Sequence, residues 1–388
     1  MTQRVADSAF GVSPLTTVGH ATPRIDAAER VSGRAKYTND IQLPGMLFAR
    51  VLRSPHPHAR IRSIDLSKAR ALSGVKAIIT GENCDIVWGA GSVAGGQQYS
   101  DEIKKITTQR RHVFNNPVRF VGEPVAAVAA VNRHVAEEAL TLIVVDYEVL
   151  PFVLEQEDAL KPGAPQIWPE GNHALNNRNE PLPIAQRRGD VAAALGSAAH
   201  VFEDRYSTSF VHNAQMEPRS AVAHWEGDKL TVYTPTGGIA NCRHDMARDL
   251  GIPEDKVRVV SQYMGGNFGN KNQNQEADII AAMLSKEAAS SVKLELSRRE
   301  DFLGVHGRWP TVHHYKVGVD DDGTLNAVQL RGFSGMARTG RTPGRWRASS
   351  CISARTSRAS SRQCTRTRRC RATSAVPSFH RGTSASSR

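Results

Sequence analysis

The strongest chemical signal in the chain is the seven-residue run Gly265-Gly-Asn-Phe-Gly-Asn-Lys271. Glycines at 265, 266 and 269 free the backbone to take positive φ and to approach a ligand closely. Lys256–Ser261 ahead of the run reads as a strand. Ala277, Ile280, Ala281 and Leu284 after it share one helical face. Loop amides followed by a helix N-terminus make a site for phosphate or another anion. The spacing is neither G-x-x-x-x-G-K nor G-x-G-x-x-G. Taken alone, the run reads more readily as a tight strand-to-helix turn, since short glycine motifs match often by chance.

Other reactive residue types give weaker patterns. Glu217, in Met216-Glu-Pro218, has the chemistry of an acid, but a carboxylate beside a proline ahead of a strand is expected to anchor a turn. His56, His58 and His212 do not share metal-ligand spacing with one another or with a cysteine, and are expected to be surface or internally satisfied residues. His313 and His314 are adjacent in a strand and should point to opposite faces. Arg298-Arg-Glu-Asp301 reads as a solvated strand end. Cys84 and Cys242 lie far apart, and no C-x2-C or C-x4-C-x2-C run exists, which speaks against disulfide, zinc and iron–sulfur frameworks in this chain. No residue is assigned a catalytic or metal-ligating role.

The elements that must position the loop follow from period and punctuation. Leu47–Leu52, Ile61–Asp65, Val75–Thr80, Pro124–Val131 and Leu142–Tyr147 read as strands, with a helical turn at Ser67–Leu72. Asn132 is placed to cap a helix running to Ala139. Residues 161–188 hold five prolines and four asparagines and read as a linker. Beyond Gly189, Ala221–Trp225 and Leu230–Thr234 flank a Gly227-Asp228 turn. Ile239, Cys242, Met246, Ala247 and Leu250 mark a helix that Gly251 and Pro253 end. Val292, Leu294 and Leu296 alternate with polar residues, which predicts a strand with one wet face. Tyr315–Val319 and Leu325–Leu330 form a hairpin about Asp320–Gly323. The fold class is α+β.

The whole chain carries a formal charge of +12, which would raise nucleic acid as a partner. Thirteen arginines, with no Asp, Glu or Lys, lie between Ala337 and Arg388, so residues 1–336 carry a net charge of −1. A nucleic-acid reading therefore rests on the tail alone, and its lack of lysine speaks against a genuine basic arm. Only Ile352, Val376 and Phe379 supply Leu, Ile, Val or Phe side chains there. Such a segment is expected to be disordered. Cys364-Thr-Arg-Thr-Arg-Arg-Cys370 and Ser384–Arg388 look like GC-rich coding sequence read out of frame, so a frameshift near Met336 is expected. Neither a signal peptide nor a membrane span is evident, and the cytoplasm is the expected location.

A family resemblance orders these pieces. Gly33–Asp40, Leu43–Ala49, Arg53-Ser-Pro-His-Pro-His-Ala-Arg-Ile61 and Val121-Gly-Glu-Pro-Val-Ala-Ala127 resemble the a/b hammerhead domain that opens the molybdenum-cofactor subunit of xanthine oxidase/aldehyde oxidase-type hydroxylases. His212–Pro218 and Gly251–Val260 resemble the first cofactor-binding domain of that subunit, and the Gly265–Lys271 run stands where the family has its glycine-rich cofactor loop. The resemblance covers about residues 24–336. It implies an N-terminal arm (1–23), a hammerhead domain (24–160), a linker (161–188), an incomplete first molybdenum-cofactor-binding domain (189–336) and the basic tail (337–388).

By the same resemblance, Gly265, Gly266, Phe268 and Gly269 would bind molybdenum-molybdopterin. The implied activity is hydroxylation of an aldehyde, N-heterocycle or related small molecule with water as oxygen source and a glutamate as general base. Iron–sulfur and FAD subunits would carry the electrons away. Three departures stand out. Relatives place a glutamine where Gly237 stands. Xanthine-type relatives have a purine-binding glutamate at the position of Asn272, which argues against xanthine. The family also continues for several hundred residues, so a truncated, inactive product that still binds sibling subunits is the competing expectation.

Overall fold

The computed structural model describes residues 19–88, 111–168, 171–172, 185–304, 307–335 and 350–353. The first stretch contains helix α1 (Ala27–Val31), β1 (Leu47–Arg53), β2 (Ala59–Asp65), α2 (Ser67–Ala71), β3 (Val75–Thr80), β4 (Val87–Trp88), β5 (Arg111–His112), β6 (Pro124–Ala130), α3 (Arg133–Leu142) and β7 (Val144–Val149). The second contains β8 (Ala185–Arg188), α4 (Val191–Gly196), β9 (His200–Thr208), β10 (Val211–His212), β11 (Ser220–Glu226), β12 (Lys229–Tyr233), α5 (Ile239–Leu250), β13 (Val257–Val260), α6 (Glu276–Glu287), β14 (Val292–Glu295) and α7 (Arg298–Gly304). It closes with β15 (Gly307–Arg308), β16 (Thr311–Val319), β17 (Leu325–Ser334) and β18 (Ser350–Ser353).

One mixed sheet of seven strands, in the order β13-β12-β11-β14-β1-β6-β3, runs through both stretches. The seam is the parallel pairing of β1 with β14, with Leu47 opposite Val292 and Ala49 opposite Leu294. Residues on either side of the linker thus share a single hydrophobic core rather than building one each. Ala127 and Ala129 of β6 face that core together with Leu230, Met246, Ile280 and Leu284. Ala126 and Val128, pointing the other way, pack with Ala69, Ala139 and Ile143 of the helical layer on the opposite face. Small side chains on both faces explain why all seven residues of β6 are buried.

The helices follow their punctuation. Asn132 Oδ1 accepts from the Val135 amide at 2.9 Å and starts α3. Gly251 takes the left-handed conformation that ends α5. Gly227, at φ 63°, turns the β11–β12 hairpin. Helix α6 is buried well beyond the one expected face, since Ile279 and Ala282 are as inaccessible as Ile280 and Ala281.

Two expectations are corrected. The face of β14 expected to be wet is covered. Lys293 is 4% exposed and donates to the Asn39 carbonyl at 2.8 Å, because the segment around Thr38–Asp40 lies over it. Arg298–Asp301 is the first turn of helix α7 rather than a strand end, and Asp301 is fully buried. Ser297 accounts for this turn: its hydroxyl accepts from the Glu300 amide, as an N-cap does. Within the tail expected to be disordered, Ser350–Ser353 forms a short strand parallel to β8, itself at the end of the expected linker. The other tail residues lie outside the described part, as does the arm through Val18.

Beside the large sheet, β9, β16 and β17 form a three-stranded antiparallel sheet with much of its surface in solvent. A cleft of about 510 Å³ between this sheet and residues 157–162 is lined by Glu157, Lys161, His314, Arg331 and Phe333, among others; the glycine loop does not reach it. Among the described residues, no helix is long and apolar enough to cross a membrane.

Candidate functional site

The glycine run connects β13 to α6 and lies against the loop that precedes β11. Gly265 and Glu217 bond reciprocally: the Glu217 amide donates to the Gly265 carbonyl at 3.1 Å, and the Gly265 amide donates to Glu217 Oε2 at 2.8 Å. A Cβ on Gly265 would stand 2.6 Å from Glu217 Cβ, so this approach requires glycine. Gly266, at φ 106°, passes over Gln215, where an added Cβ would stand 3.0 Å from the Gln215 Cβ. These two glycines are thus explained by close packing of the loop on its support.

The far end of the loop is held from the same support. Lys271 Nζ donates to Glu217 Oε2 at 3.0 Å and to the Glu217 carbonyl at 2.8 Å. Arg219 Nη2 donates to the Asn270 carbonyl at 2.6 Å. Asp301 Oδ1 accepts from the Arg219 amide, and its carboxylate pairs with Arg298. Lys271, Arg219 and Asp301 are all fully buried. Burial, opposed by the nearby Glu217 carboxylate, lowers the Lys271 pKa to about 8. Burial likewise pulls the Arg219 guanidinium down and pushes the Asp278 carboxyl up. Glu217 is therefore an anchor, as its place beside Pro218 implied. Nothing in the sequence flagged the burial of Lys271, Arg219 or Asp301, because charged residues are read as solvated by default.

Phe268 sits at the crest of the loop, exposed, with φ 49°. A positive φ on a phenylalanine is strained backbone, and it persists only where the surroundings hold it. Here Asn213 and Arg308 both donate to the Phe268 carbonyl, the latter at 3.2 Å. The amides of Gly266, Asn267, Phe268 and Gly269 make no hydrogen bond among the described residues. Four consecutive donors in a rigid, partly exposed loop are what an anionic or oxygen-rich group can use. The four residues singled out in the sequence are thus brought together on one loop, with Phe268 and Gly269 the most accessible.

The two departures in sequence prove to be neighbours. Asn267 Nδ2 donates to Asn272 Oδ1 at 2.6 Å, and a Cβ on Gly237 would lie 2.7 Å from that nitrogen. A side chain at 237 would have to displace the asparagine pair. Gly238 is fixed more firmly, its absent Cβ lying 2.5 Å from the Asn272 carbonyl oxygen. Tyr263, just before the loop, is braced by the N-terminal segment: the Arg30 guanidinium lies 5.1 Å from its ring centre and its hydroxyl meets Glu29.

Four of the histidines singled out in the sequence meet neighbouring groups of the fold. His58 Nδ1 contacts the Pro151 carbonyl at 2.7 Å, and His212 packs against the Phe302 ring. His313 lies near Tyr315, while His314 reaches Glu157. Among the described residues, no group of three or more His, Cys, Asp or Glu side chains could hold a metal ion.

Comparison with known proteins places this geometry. Residues 32–151 match the aldehyde oxidase and xanthine dehydrogenase a/b hammerhead domain, and residues 173–352 match the molybdopterin cofactor-binding domain. The chain belongs to the molybdopterin-binding subunits of the xanthine dehydrogenase and aldehyde oxidase family. It is 33% identical over 317 residues to the nicotinate dehydrogenase large molybdopterin subunit of Eubacterium barkeri, a match covering 81% of this chain and 70% of that one. It is also 33% identical over 309 residues to a xanthine dehydrogenase molybdenum-binding subunit of Escherichia coli, covering 79% of this chain and 40% of the relative. Among solved structures, quinoline 2-oxidoreductase from Pseudomonas putida 86 superposes with a TM-score of 0.69 at 29% identity, over 80% of this chain and 38% of that one. The carbon monoxide dehydrogenase of Oligotropha carboxidovorans gives 0.70 at 27%, over 81% and 39%. The chain therefore spans well under half the length of most of these relatives.

Proposed function

We propose that this chain is the molybdenum-cofactor subunit of an oxidoreductase that hydroxylates an aldehyde, an N-heterocycle or a related small molecule. The observation that carries the proposal is the Gly265–Lys271 loop, with four amides unbonded among the described residues, an exposed Phe268 and a buried support. These residues fit a large, oxygen-rich anionic group. Gly265, Gly266, Phe268 and Gly269 would hold it, the amides meeting its oxygens and the Phe268 ring lying against it. When bound, that group supplies two-electron oxidation with water as the source of oxygen.

The chain's own contribution is to bind and orient. Asn213 and Arg308 keep Phe268 in its strained conformation, and Glu217 and Lys271 fix the two ends of the loop. No residue receives a catalytic role, so in this proposal the chain by itself is inactive and the reaction belongs to an assembled complex. The partners are an iron–sulfur subunit and an FAD subunit, and the expected location is the cytoplasm. Several relatives carry the word subunit in their names, which supports the reading. We take 24–160, 161–188 and 189–336 as the hammerhead, linker and cofactor-binding segments. Asn272 in place of an acid argues for a substrate other than xanthine.

The test is co-expression of the full chain with iron–sulfur and FAD subunits of a relative in a cofactor-producing host. The complex is then assayed with aldehydes and N-heterocycles in water labelled with heavy oxygen. The proposal expects substrate-dependent acceptor reduction and label in the product. A complex that assembles and holds molybdenum but transfers no label would leave the non-catalytic, subunit-binding reading in its place.

A further inference from the structure

We propose that Glu217 is a positioning residue for the cofactor-binding loop, acting as a clasp that sets the presentation of the amides of residues 266–269. The inference rests on the reading of this loop as the cofactor site and adds a residue to it. Glu217 lies outside the glycine run, on the loop before β11, yet one of its carboxylate oxygens holds both ends of the run. Oε2 accepts the Gly265 amide at 2.8 Å and the Lys271 ammonium at 3.0 Å. The main chain of the same residue repeats both connections, donating to the Gly265 carbonyl at 3.1 Å and accepting from Lys271 Nζ at 2.8 Å. Four hydrogen bonds from one residue thus close a ring around Gly265–Lys271.

The geometry makes this a device for shape rather than for general cohesion. A loop pinned at its first and last residues has few conformations left for the five between. The Glu217 contacts leave the intervening amides untouched, so the clasp fixes the loop without consuming the donors that a ligand needs. The carbonyls of Phe268, Asn270 and Lys271 are each taken by other partners: Asn213 and Arg308, Arg219, and Thr236 with the Gly237 amide. Five of the seven loop carbonyls (Gly265, Asn267, Phe268, Asn270 and Lys271) are bonded, whereas the amides of residues 266–269 make no hydrogen bond among the described residues. That asymmetry is what a site for a negatively charged or oxygen-rich group requires. In this proposal Glu217 acts through the loop and is not itself a ligand of the bound group.

The test uses the full chain with Glu217→Gln, Glu217→Ala and Lys271→Met, each read in two ways. The first is amide hydrogen exchange in the absence of cofactor, comparing residues 265–271 with the buried helix 277–284 as internal reference. The second is pterin and molybdenum per chain after expression in a cofactor-producing host. The clasp predicts that Glu217→Ala speeds exchange in the loop at least tenfold while the helix reference moves far less. It further predicts that pterin retention falls by roughly 10–100-fold, the range seen when supports behind a cofactor ligand are removed. Glu217→Gln keeps an acceptor for Gly265 and is expected to recover most of both. A merely structural role would raise loop and helix exchange together, and that result overturns the proposal. So does unchanged loop exchange in a folded Glu217→Ala chain. Wild-type chain without pterin, but with a loop that loosens on Glu217→Ala, would count against the cofactor reading while leaving the clasp standing.

Discussion

Beneath the glycine loop, Glu217, Arg219, Lys271 and Asp301 are withdrawn from water, whereas the charged residues of the three-stranded sheet stand in it. Arg205 pairs with Glu157, and Lys316 with Glu203, at distances of 2.7 and 3.3 Å. The Glu217–Lys271 contact, at 3.0 Å, falls between them. Distance alone would rank the surface pairs as comparable. Solvent reverses the ranking, because exposed charges gain little from pairing that water did not already give them. A buried charge stripped of its partner is left uncompensated. The difference marks one region as a fixed platform and the other as a surface whose charges serve mainly to keep it wet.

The comparison can be broken at its strong end first. Glu217→Ala should lower the stability of the loop against local opening by about 3–5 kcal/mol, since it leaves the Lys271 ammonium without its counter-ion for as long as the loop stays closed. Amide exchange at Gly265 and Lys271 measures this, and a loss below about 1 kcal/mol would put the buried pair in the class of surface pairs.

The pH dependence sharpens the same point. Lys271 has a folded pKa of about 8 against an ordinary value of 10.5. Between those two values the unfolded chain binds more protons than the folded one, so the contribution of this group to stability rises with pH across that window. Below about pH 8 it is charged in both states and the burial cost is borne in full. The stability of wild type relative to Lys271→Met should therefore increase from pH 8 to pH 10 by roughly 1–3 kcal/mol. A flat difference would mean the ammonium is solvated after all.

Smaller effects probe the frame around the two regions. Asn132→Ala removes the cap of α3 and should cost about 1 kcal/mol in thermal or urea unfolding. Arg205→Ala on the three-stranded sheet should cost less than about 1 kcal/mol, and added salt should shrink even that. An Arg205 effect matching that of Glu217 would remove the distinction between the two regions.

Much of the frame was legible in the sequence because its signals are local. The cap at Asn132, the left-handed Gly251, the Gly227 turn and the alternation of β16 with β17 each involve residues a few positions apart. What could not be read was the seam between β1 and β14, which joins Leu47 to Val292 across more than half the chain. The same limit explains Lys293. Its alternating pattern correctly gave a strand, but the segment that covers it comes from Asn39, far away in sequence. Asp301 was misplaced for a second reason. In a run of four charged residues nothing distinguishes the one that turns inward beneath Arg219.

At the site, the glycine run and Phe268 announced themselves by type and spacing, whereas their support did not. Glu217 was marked as an anchor by its neighbouring proline, but its partner Lys271 gave no sign of being buried. The pairing of Asn267 with Asn272 over Gly237 was equally hidden, although both departures were visible separately. Spacing identifies a loop that can bind. Only the fold shows which side chains hold it open.

The most direct test of the central claim is molybdenum and pterin content of the purified full chain, expressed in a host that makes the cofactor. A cofactor-binding loop predicts close to one of each per chain, falling sharply in Glu217→Ala. A folded wild-type chain that carries neither would contradict the assignment of Gly265–Lys271 as a cofactor site.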